Sequence, residues 1–143
     1  MVDTWSGADY ARHSSLQAAM ADEVLSRLPL QGDEQLLDVG CGDGKLSARI
    51  AAQVPRGAVL GVDASADMVA FARQQFDAAA WPNLRFEVVD ARHLNFDARF
   101  DRVVSFNALH WVPQQADALR GIRAALKPQG RAHLRLVTRA ALT

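Results

Sequence analysis

The chain has 143 residues, half of them apolar, with sixteen basic and sixteen acidic side chains and therefore no formal net charge. This length fits one domain, and a domain of this size buries about two thirds of the surface that its unfolded chain exposes. The composition is typical of a globular protein and excludes a disordered or fibrous chain. Because nucleic-acid binding depends on an excess of Lys and Arg, the balanced charge also argues against a nucleic-acid partner.

Cysteine content and the first residues indicate the compartment. Cys41 is the only cysteine, so the chain can form no intramolecular disulfide, and its neighbours do not offer the other ligands of a metal site. The segment Met1-Val2-Asp3-Thr4 lacks the basic and then apolar pattern of a signal peptide, and no apolar run is long enough to cross a membrane. We expect a cytoplasmic protein with no membrane partner and no metal.

Helical and strand periods alternate along the chain. An apolar stripe at helical spacing runs from Leu16 to Leu28 and ends at Pro29. Ser65 is a predicted N-cap. The predicted elements that follow the first helix are strand one (35–39), a helix (46–54), strand two (58–62), a helix with Met68, Phe71, Ala72 and Phe76 on its apolar face, strand three (84–89), an irregular link (91–99), strand four (100–106), a helix from about 114 to 126, a break at 127–130 and strand five (132–137).

Strands that alternate with helices predict an α/β fold, a Rossmann-like doubly wound parallel sheet of about five strands. Such sheets bind ligands beyond the carboxyl ends of their strands. Polar or glycine-rich groups follow four of the predicted strands there, namely Asp38 to Gly44, Asp63, Asp90 and Asn107. We therefore expect the functional site at this edge.

The glycine-rich turn after strand one separates two classes of nucleoside cofactor. A dinucleotide fingerprint requires a third glycine to bring helix and strand together over a pyrophosphate, and Lys45 occupies that position. Asp38 would repel a pyrophosphate but suits a ligand that carries an ammonium and a sulfonium. This disfavours a nicotinamide oxidoreductase, and we expect the ligand to rest on free backbone amides between Asp38 and Gly44.

The same turn resembles motif I of the class I S-adenosylmethionine-dependent methyltransferases, with Asp38, Gly40, Cys41, Gly42 and Gly44 at the motif positions. The resemblance extends from about Tyr10 to Val137. It implies the class I methyltransferase fold, S-adenosylmethionine as cofactor and a small-molecule methyl acceptor. The N-terminal segment with Tyr10 and Gln17 looks like that of the trans-aconitate and juvenile hormone acid methyltransferases, which implies contacts with the carboxylate end of the cofactor and a carboxylate as one candidate acceptor.

The resemblance also assigns cofactor contacts at the later strands. Asp63 would bind the ribose diol, and the next residue, Ala64, would also contact the cofactor. Met68 would lie against the adenine or ribose, and the alternative is that Met68 is a core residue. Asp90 and Ala91 would lie at the adenine edge. Near the methionine moiety, the resemblance implies contacts with the carbonyls of Phe106 and Asn107. It also implies that His110 orients or deprotonates the acceptor. The alternative for His110 is a purely structural hydrogen bond.

The chain stops just after strand five, whereas class I methyltransferases have seven strands. Strand five would then be a sheet edge with unpaired backbone groups. We expect either a truncated form or a natural short form that covers this edge by self-association. A cofactor-binding or interaction module without catalysis is the alternative to an active enzyme.

Overall fold

The computed structural model describes residues 7–106 and 114–135, with side chains described from Leu16 onward except that of Gln17. Four α-helices, five strands and one short 3-10 turn occur in these ranges. Their bounds are α1 (Gly7–Ser26), β1 (Gln35–Val39), α2 (Lys45–Gln53), β2 (Ala58–Asp63), α3 (Ala66–Gln75), β3 (Leu84–Val88), the 3-10 turn (Ala91–His93), β4 (Phe100–Ser105), α4 (Gln115–Ala125) and β5 (Leu126–Leu134).

The strands form one parallel sheet in the order β3-β2-β1-β4-β5. The predicted Rossmann-like fold is thereby confirmed, and so is the position of β5 at an edge of the sheet. Because every strand is parallel to its neighbours, all carboxyl ends meet at one side of the molecule. The turn after β1, Asp63 and Asp90 lie on that side.

Both faces of the sheet are covered by apolar side chains. On one face, Leu36 of β1 and Val59 of β2 share an apolar cluster with residues of the helices. These residues are Ile50 of α2, Val54 just after it and Val69 of α3. Leu37 and Val62 face the opposite side, where Ala118 and Ile122 of α4 pack. Buried parallel strands read as continuous apolar runs because both of their faces are covered, and β1 follows this rule except at Asp38.

The start of β5 differs from the prediction. The segment Lys127-Pro128-Gln129-Gly130, predicted as a break, belongs to a strand that begins at Leu126. Its register against β4 is irregular between Phe100 and Arg102 and regular from Arg131 onward. A Cβ on Gly130 would lie 3.1 Å from the Phe100 carbonyl oxygen, so the missing side chain lets the irregular segment stay against β4.

Two predicted apolar faces are only partly buried. In α1, Leu16 is 64% exposed and Ala19 is also exposed, whereas Ala21 and, beyond the end of the helix, Leu28 are buried. In α3 the buried positions are Val69 and Ala72, and Phe71 is 46% exposed. Periodicity identifies an apolar face but not how much of that face a neighbour covers. None of the described helices is long and apolar enough to span a membrane.

Candidate functional site

The turn between β1 and α2 holds three glycines in the left-handed region of backbone conformation. Gly40, Gly42 and Gly44 all have positive φ, at 77°, 55° and 84°. At Gly44 a side chain would also collide with its surroundings, because a Cβ there would lie 2.7 Å from Cζ of Phe86. Gly44 therefore lets the start of α2 approach β3 closely.

The backbone amides of this turn are engaged within the protein, which corrects the expectation of free amides for a ligand. The amides of Gly40 and Cys41 donate to the Val62 carbonyl at 2.8 and 2.9 Å, and that of Gly44 donates to the Cys41 carbonyl at 3.0 Å. The Gly42 amide donates to Oδ2 of Asp63 at 2.9 Å. These four amides already have protein acceptors, so the glycines supply room for a ligand rather than hydrogen bonds.

Asp63, the last residue of β2, joins the glycine turn to the start of α3. Its Oδ2 accepts from the Gly42 amide, and its Oδ1 accepts from the Ser65 amide at 3.0 Å. Ser65 is the predicted N-cap of α3, and its hydroxyl accepts from the Met68 amide at 3.2 Å. A carboxylate has about four acceptor positions, so Asp63 retains capacity for two further donors.

Asp38 lies in β1, with its carboxylate buried against the first turn of α2. Its Oδ2 accepts from the Ser47 hydroxyl at 2.6 Å, and the residue is only 3% exposed. Burial raises the pKa of Asp38 to about 6, the Ser47 hydrogen bond opposes this rise, and the charge of Asp63 adds to it. Asp38 pairs with Gly61 across the parallel ladder. Because side chains alternate along a strand, Asp38 and Asp63 lie on the same face of the sheet.

Open space lies beside the turn at Gly42. A Cβ on Gly42 would have Met68 Cε as its nearest neighbour, at 3.8 Å. Met68 is 37% exposed, so it is not a core residue as the structural alternative supposed. Ala64, between Asp63 and Ser65, is also exposed. The site thus has a thioether surface next to an uncrowded backbone.

Asp90 follows β3 and lies near Asp63, because the Val89 amide donates to the Asp63 carbonyl at 3.0 Å. The Asp90 carboxylate has a protein partner in Arg92. The Arg92 guanidinium contacts Oδ2 at 2.7 Å through Nη2, and these hydrogen bonds hold the pKa of Asp90 well below its usual range. Asp90 also caps the 3-10 turn that begins at Ala91.

Cys41 lies inside the glycine turn and is buried. Burial, reinforced by the charge of Asp38, strongly raises the pKa of its thiol, so this thiol is not an activated nucleophile. Within the described residues no group of three or more His, Cys, Asp or Glu side chains has the arrangement of a metal site.

Several predicted residues are only partly described or fall outside the described ranges. Asn107 and His110 lie between 106 and 114, outside those ranges, so their roles stay predictions. Tyr10 and Gln17 fall on α1, but their side chains are not among those described. Phe106 is partly buried and packs against the core beside α2 and α3.

Sequence reasoning missed three residues that organise the site. Ser47 donates to Asp38, and Arg92 donates to Asp90. The buried hydroxyl of Ser105 donates to the Val39 carbonyl at 2.8 Å and so links the ends of β1 and β4. Arg92 had a usable signal, because an acid two residues before a base in a tight turn commonly pairs with it. The serines had no signal, because their partners are defined only by the fold.

Comparisons with known proteins identify the family of this chain. A family model described as a methyltransferase domain matches residues 36–130. The trans-aconitate 2-methyltransferase of Deinococcus radiodurans is 35% identical over 127 residues, which are 89% of this chain and 47% of that enzyme. The chain spans about half the length of the relatives it matches.

Solved structures agree with the family model. An S-adenosylmethionine-dependent methyltransferase from Mesorhizobium loti aligns with a TM-score of 0.64 and 30% identity over 76% of this chain and 49% of that one. The (4+2)-cyclase SpnF aligns with a TM-score of 0.70 and 31% identity over 77% of this chain and 41% of that one. The family match covers β1, the glycine turn, Asp63 and Asp90. The chain therefore belongs to the class I S-adenosylmethionine-dependent methyltransferase family.

Proposed function

We propose that this chain binds S-adenosylmethionine between the glycine turn, the end of β2 and the end of β3, and that it serves methyl transfer to a small molecule. The observation that carries the proposal is the arrangement around Asp63. Its carboxylate is tied to Gly42 and Ser65, keeps free acceptor positions, and lies beside Met68 and the open space at Gly42. A carboxylate held in this way suits the two vicinal hydroxyls of a ribose.

The engaged amides favour S-adenosylmethionine over a dinucleotide. A pyrophosphate is bound by backbone N–H groups that point at the ligand, and the amides of Gly40, Cys41, Gly42 and Gly44 all have protein acceptors. S-adenosylmethionine has no diphosphate. Its ammonium is compatible with the negative charge that Asp38 and Asp63 place on one face of the sheet.

The protein's part in the reaction would be alignment and exclusion of water. When bound, S-adenosylmethionine supplies an already activated methyl group, so a base is needed only for an acceptor that must lose a proton. We propose His110 as the residue that orients the acceptor or takes that proton. We propose Asn107 and the Phe106 carbonyl as contacts of the methionine moiety, and Tyr10 and Gln17 as contacts of its carboxylate.

For the acceptor, we propose a small molecule, and a carboxylate is the first class to test. One support is the similarity to trans-aconitate 2-methyltransferases, two of which are 31% and 35% identical to this chain. The other support is the lack of net charge, which disfavours a polyanionic acceptor. Cys41 is the only cysteine and can form no intramolecular disulfide, which supports a cytoplasmic location.

A methyl-transfer assay tests the proposal directly. The purified chain is incubated with methyl-labelled S-adenosylmethionine and with small carboxylates, phenols or amines, and label in the acceptor is measured. We expect transfer to a carboxylate, and we expect His110→Gln to leave cofactor binding unchanged. Thermal stabilisation by NAD but not by S-adenosylhomocysteine would contradict the proposal.

Binding without catalysis is the second candidate. The chain covers about half of its relatives, and a protein of the same fold is described as a cyclase rather than a methyltransferase. This alternative predicts that S-adenosylhomocysteine binds and stabilises the protein while no acceptor class becomes labelled.

A further inference from the structure

The contact between Asp90 and Arg92 uses most of the acceptor capacity of one carboxylate. Oδ1 accepts from the Arg92 amide at 2.9 Å and from its Nε at 3.1 Å. Oδ2 accepts from Nη2 at 2.7 Å and from Nε at 3.2 Å. The single Nε hydrogen is shared between the two oxygens, so three donor hydrogens occupy the carboxylate. Because a carboxylate has about four acceptor positions, one position remains free.

Arg92 is itself held from the opposite side. Its Nη1 donates to Oε1 of Gln114 at 3.0 Å, at the residue that precedes α4. The 3-10 turn and α4 are also closely packed, since a Cβ on Gly121 would lie 3.0 Å from Cβ of Leu94. The guanidinium therefore bridges two elements, and Gln114 holds Nη1 on the side of α4.

We propose that Arg92 is a positioning residue that fixes the Asp90 carboxylate as a one-directional acceptor and thereby makes the site select a 6-amino purine over a 6-oxo purine. This inference rests on the proposed function, because it assumes that the cofactor's adenine edge meets Asp90. No catalytic role for Arg92 is implied.

The selectivity follows from hydrogen-bond polarity. An ionised carboxylate only accepts, so opposite the 6-position it pairs with the N–H of a 6-amino group and repels the lone pairs of a 6-oxo group. The 6-oxo purine has its nearest donor one ring position away, at N1. Protonation of Asp90 would turn it into a donor and remove this discrimination. Arg92 opposes protonation because its charge and hydrogen bonds favour the ionised form. It also opposes rotation, since a carboxylate without a partner turns freely about its last torsion.

The test compares S-adenosylhomocysteine with S-inosylhomocysteine, which differ at the purine 6-position and in the hydrogen on N1, by calorimetric titration of the full chain. The wild-type protein should prefer the 6-amino ligand by about tenfold or more, the factor expected for a hydrogen bond to a charged group. Arg92→Met should reduce this ratio several-fold, mainly by weakening the 6-amino ligand. Arg92→Lys should also reduce it, because an ammonium lacks the planar fork that holds both carboxylate oxygens.

A second substitution separates positioning from general structure. Asp90→Asn supplies an amide that can donate, so it should lose the preference for the 6-amino ligand. Adding Arg92→Met to Asp90→Asn should then leave the ratio unchanged, because Arg92 would act only through Asp90. Arg27→Met, at an exposed arginine paired with Glu23, is the control and should keep the wild-type ratio. Circular dichroism checks that each variant is folded.

The outcomes separate this inference from the proposed function. Absence of S-adenosylhomocysteine binding to the wild-type chain would overturn both. Binding with an unchanged ratio in Arg92→Met, or full retention of the ratio in Arg92→Lys, would overturn the positioning role and leave the proposed function intact. An additional effect of Arg92→Met in the Asp90→Asn background would also overturn it.

Discussion

Replacing Asp38 with asparagine should make the free protein more stable at neutral pH and weaken its binding of cofactor. The carboxylate is buried and its charge has no cationic partner among the described residues, while Ser47 donates its hydroxyl to it. Asparagine has a similar shape and retains an oxygen that can accept from Ser47. The substitution therefore removes the buried charge while keeping the hydrogen bond.

The magnitude follows from the pKa of Asp38, which is raised from 3.8 to about 6. Each pKa unit corresponds to about 1.4 kcal/mol, so ionisation of Asp38 costs the folded state about 3 kcal/mol. A folded-state pKa above the unfolded value means that this stability is fully present below pH 3.8 and is lost as the pH rises to about 6. Above that range Asp38→Asn should exceed wild type by about 3 kcal/mol, or roughly 8 °C in Tm for a domain of this size.

The assay is urea unfolding of both proteins across this pH range, with the difference in free energy of unfolding plotted against pH. The difference cancels the other carboxylates, including Asp90, whose lowered pKa acts in the opposite direction. Asp97→Asn, at an exposed position, is the matched control and should change the free energy of unfolding very little. A flat difference for Asp38→Asn would refute the reasoning. Equal S-adenosylmethionine affinity in both proteins would refute the role of Asp38 in binding the ammonium.

Three further predictions concern the turn, the end of α2 and the sheet edge. Gly44→Ala should lower the free energy of unfolding, measured with urea, by about 3 kcal/mol, because Gly44 has a positive φ and a Cβ would overpack against Phe86. Adding Phe86→Leu should recover part of this loss. Equal unfolding midpoints for Gly44→Ala and wild type would contradict this prediction. Asn83→Ala removes two hydrogen bonds to the Ala51 and Val54 carbonyls at 2.9 and 3.0 Å, so it should cost about 2 kcal/mol, whereas exposed Asn95→Ala should cost almost nothing. If two β5 edges pair antiparallel about His133, Arg131 faces Arg135 of the second copy, and the two like charges repel each other. Because salt screens this repulsion, sedimentation equilibrium should detect self-association that strengthens as the salt concentration is raised. A monomer at all salt concentrations would reject this pairing.

Local sequence rules predicted the backbone of the site well. The alternate glycines indicated a tight turn after strand one, and Gly40, Gly42 and Gly44 form it with positive φ. The β1 bounds agree with the prediction at both ends, and Ser65 caps α3 as expected. These features depend on short-range steric and hydrogen-bonding preferences, which a few neighbouring residues determine.

Features that depend on tertiary partners were not predictable in the same way. The exposure of Leu16 and Phe71 depends on which neighbours reach those helix faces. The engagement of the loop amides required the distance between Gly42 and Asp63, 21 positions apart in the chain. Burial of Asp38 against Ser47 likewise arises from the packing of α2 on β1, so its raised pKa follows from the fold rather than from the motif.

The most direct test of the account is calorimetric titration of S-adenosylhomocysteine into the wild-type chain, Asp63→Ala and the control Asp97→Ala. Asp63 both anchors Gly42 and is the proposed ribose ligand, so Asp63→Ala should weaken binding by about two orders of magnitude, the range for hydrogen bonds to a charged group. Asp97→Ala should bind like wild type. Equal affinity in all three proteins would contradict the proposed cofactor site.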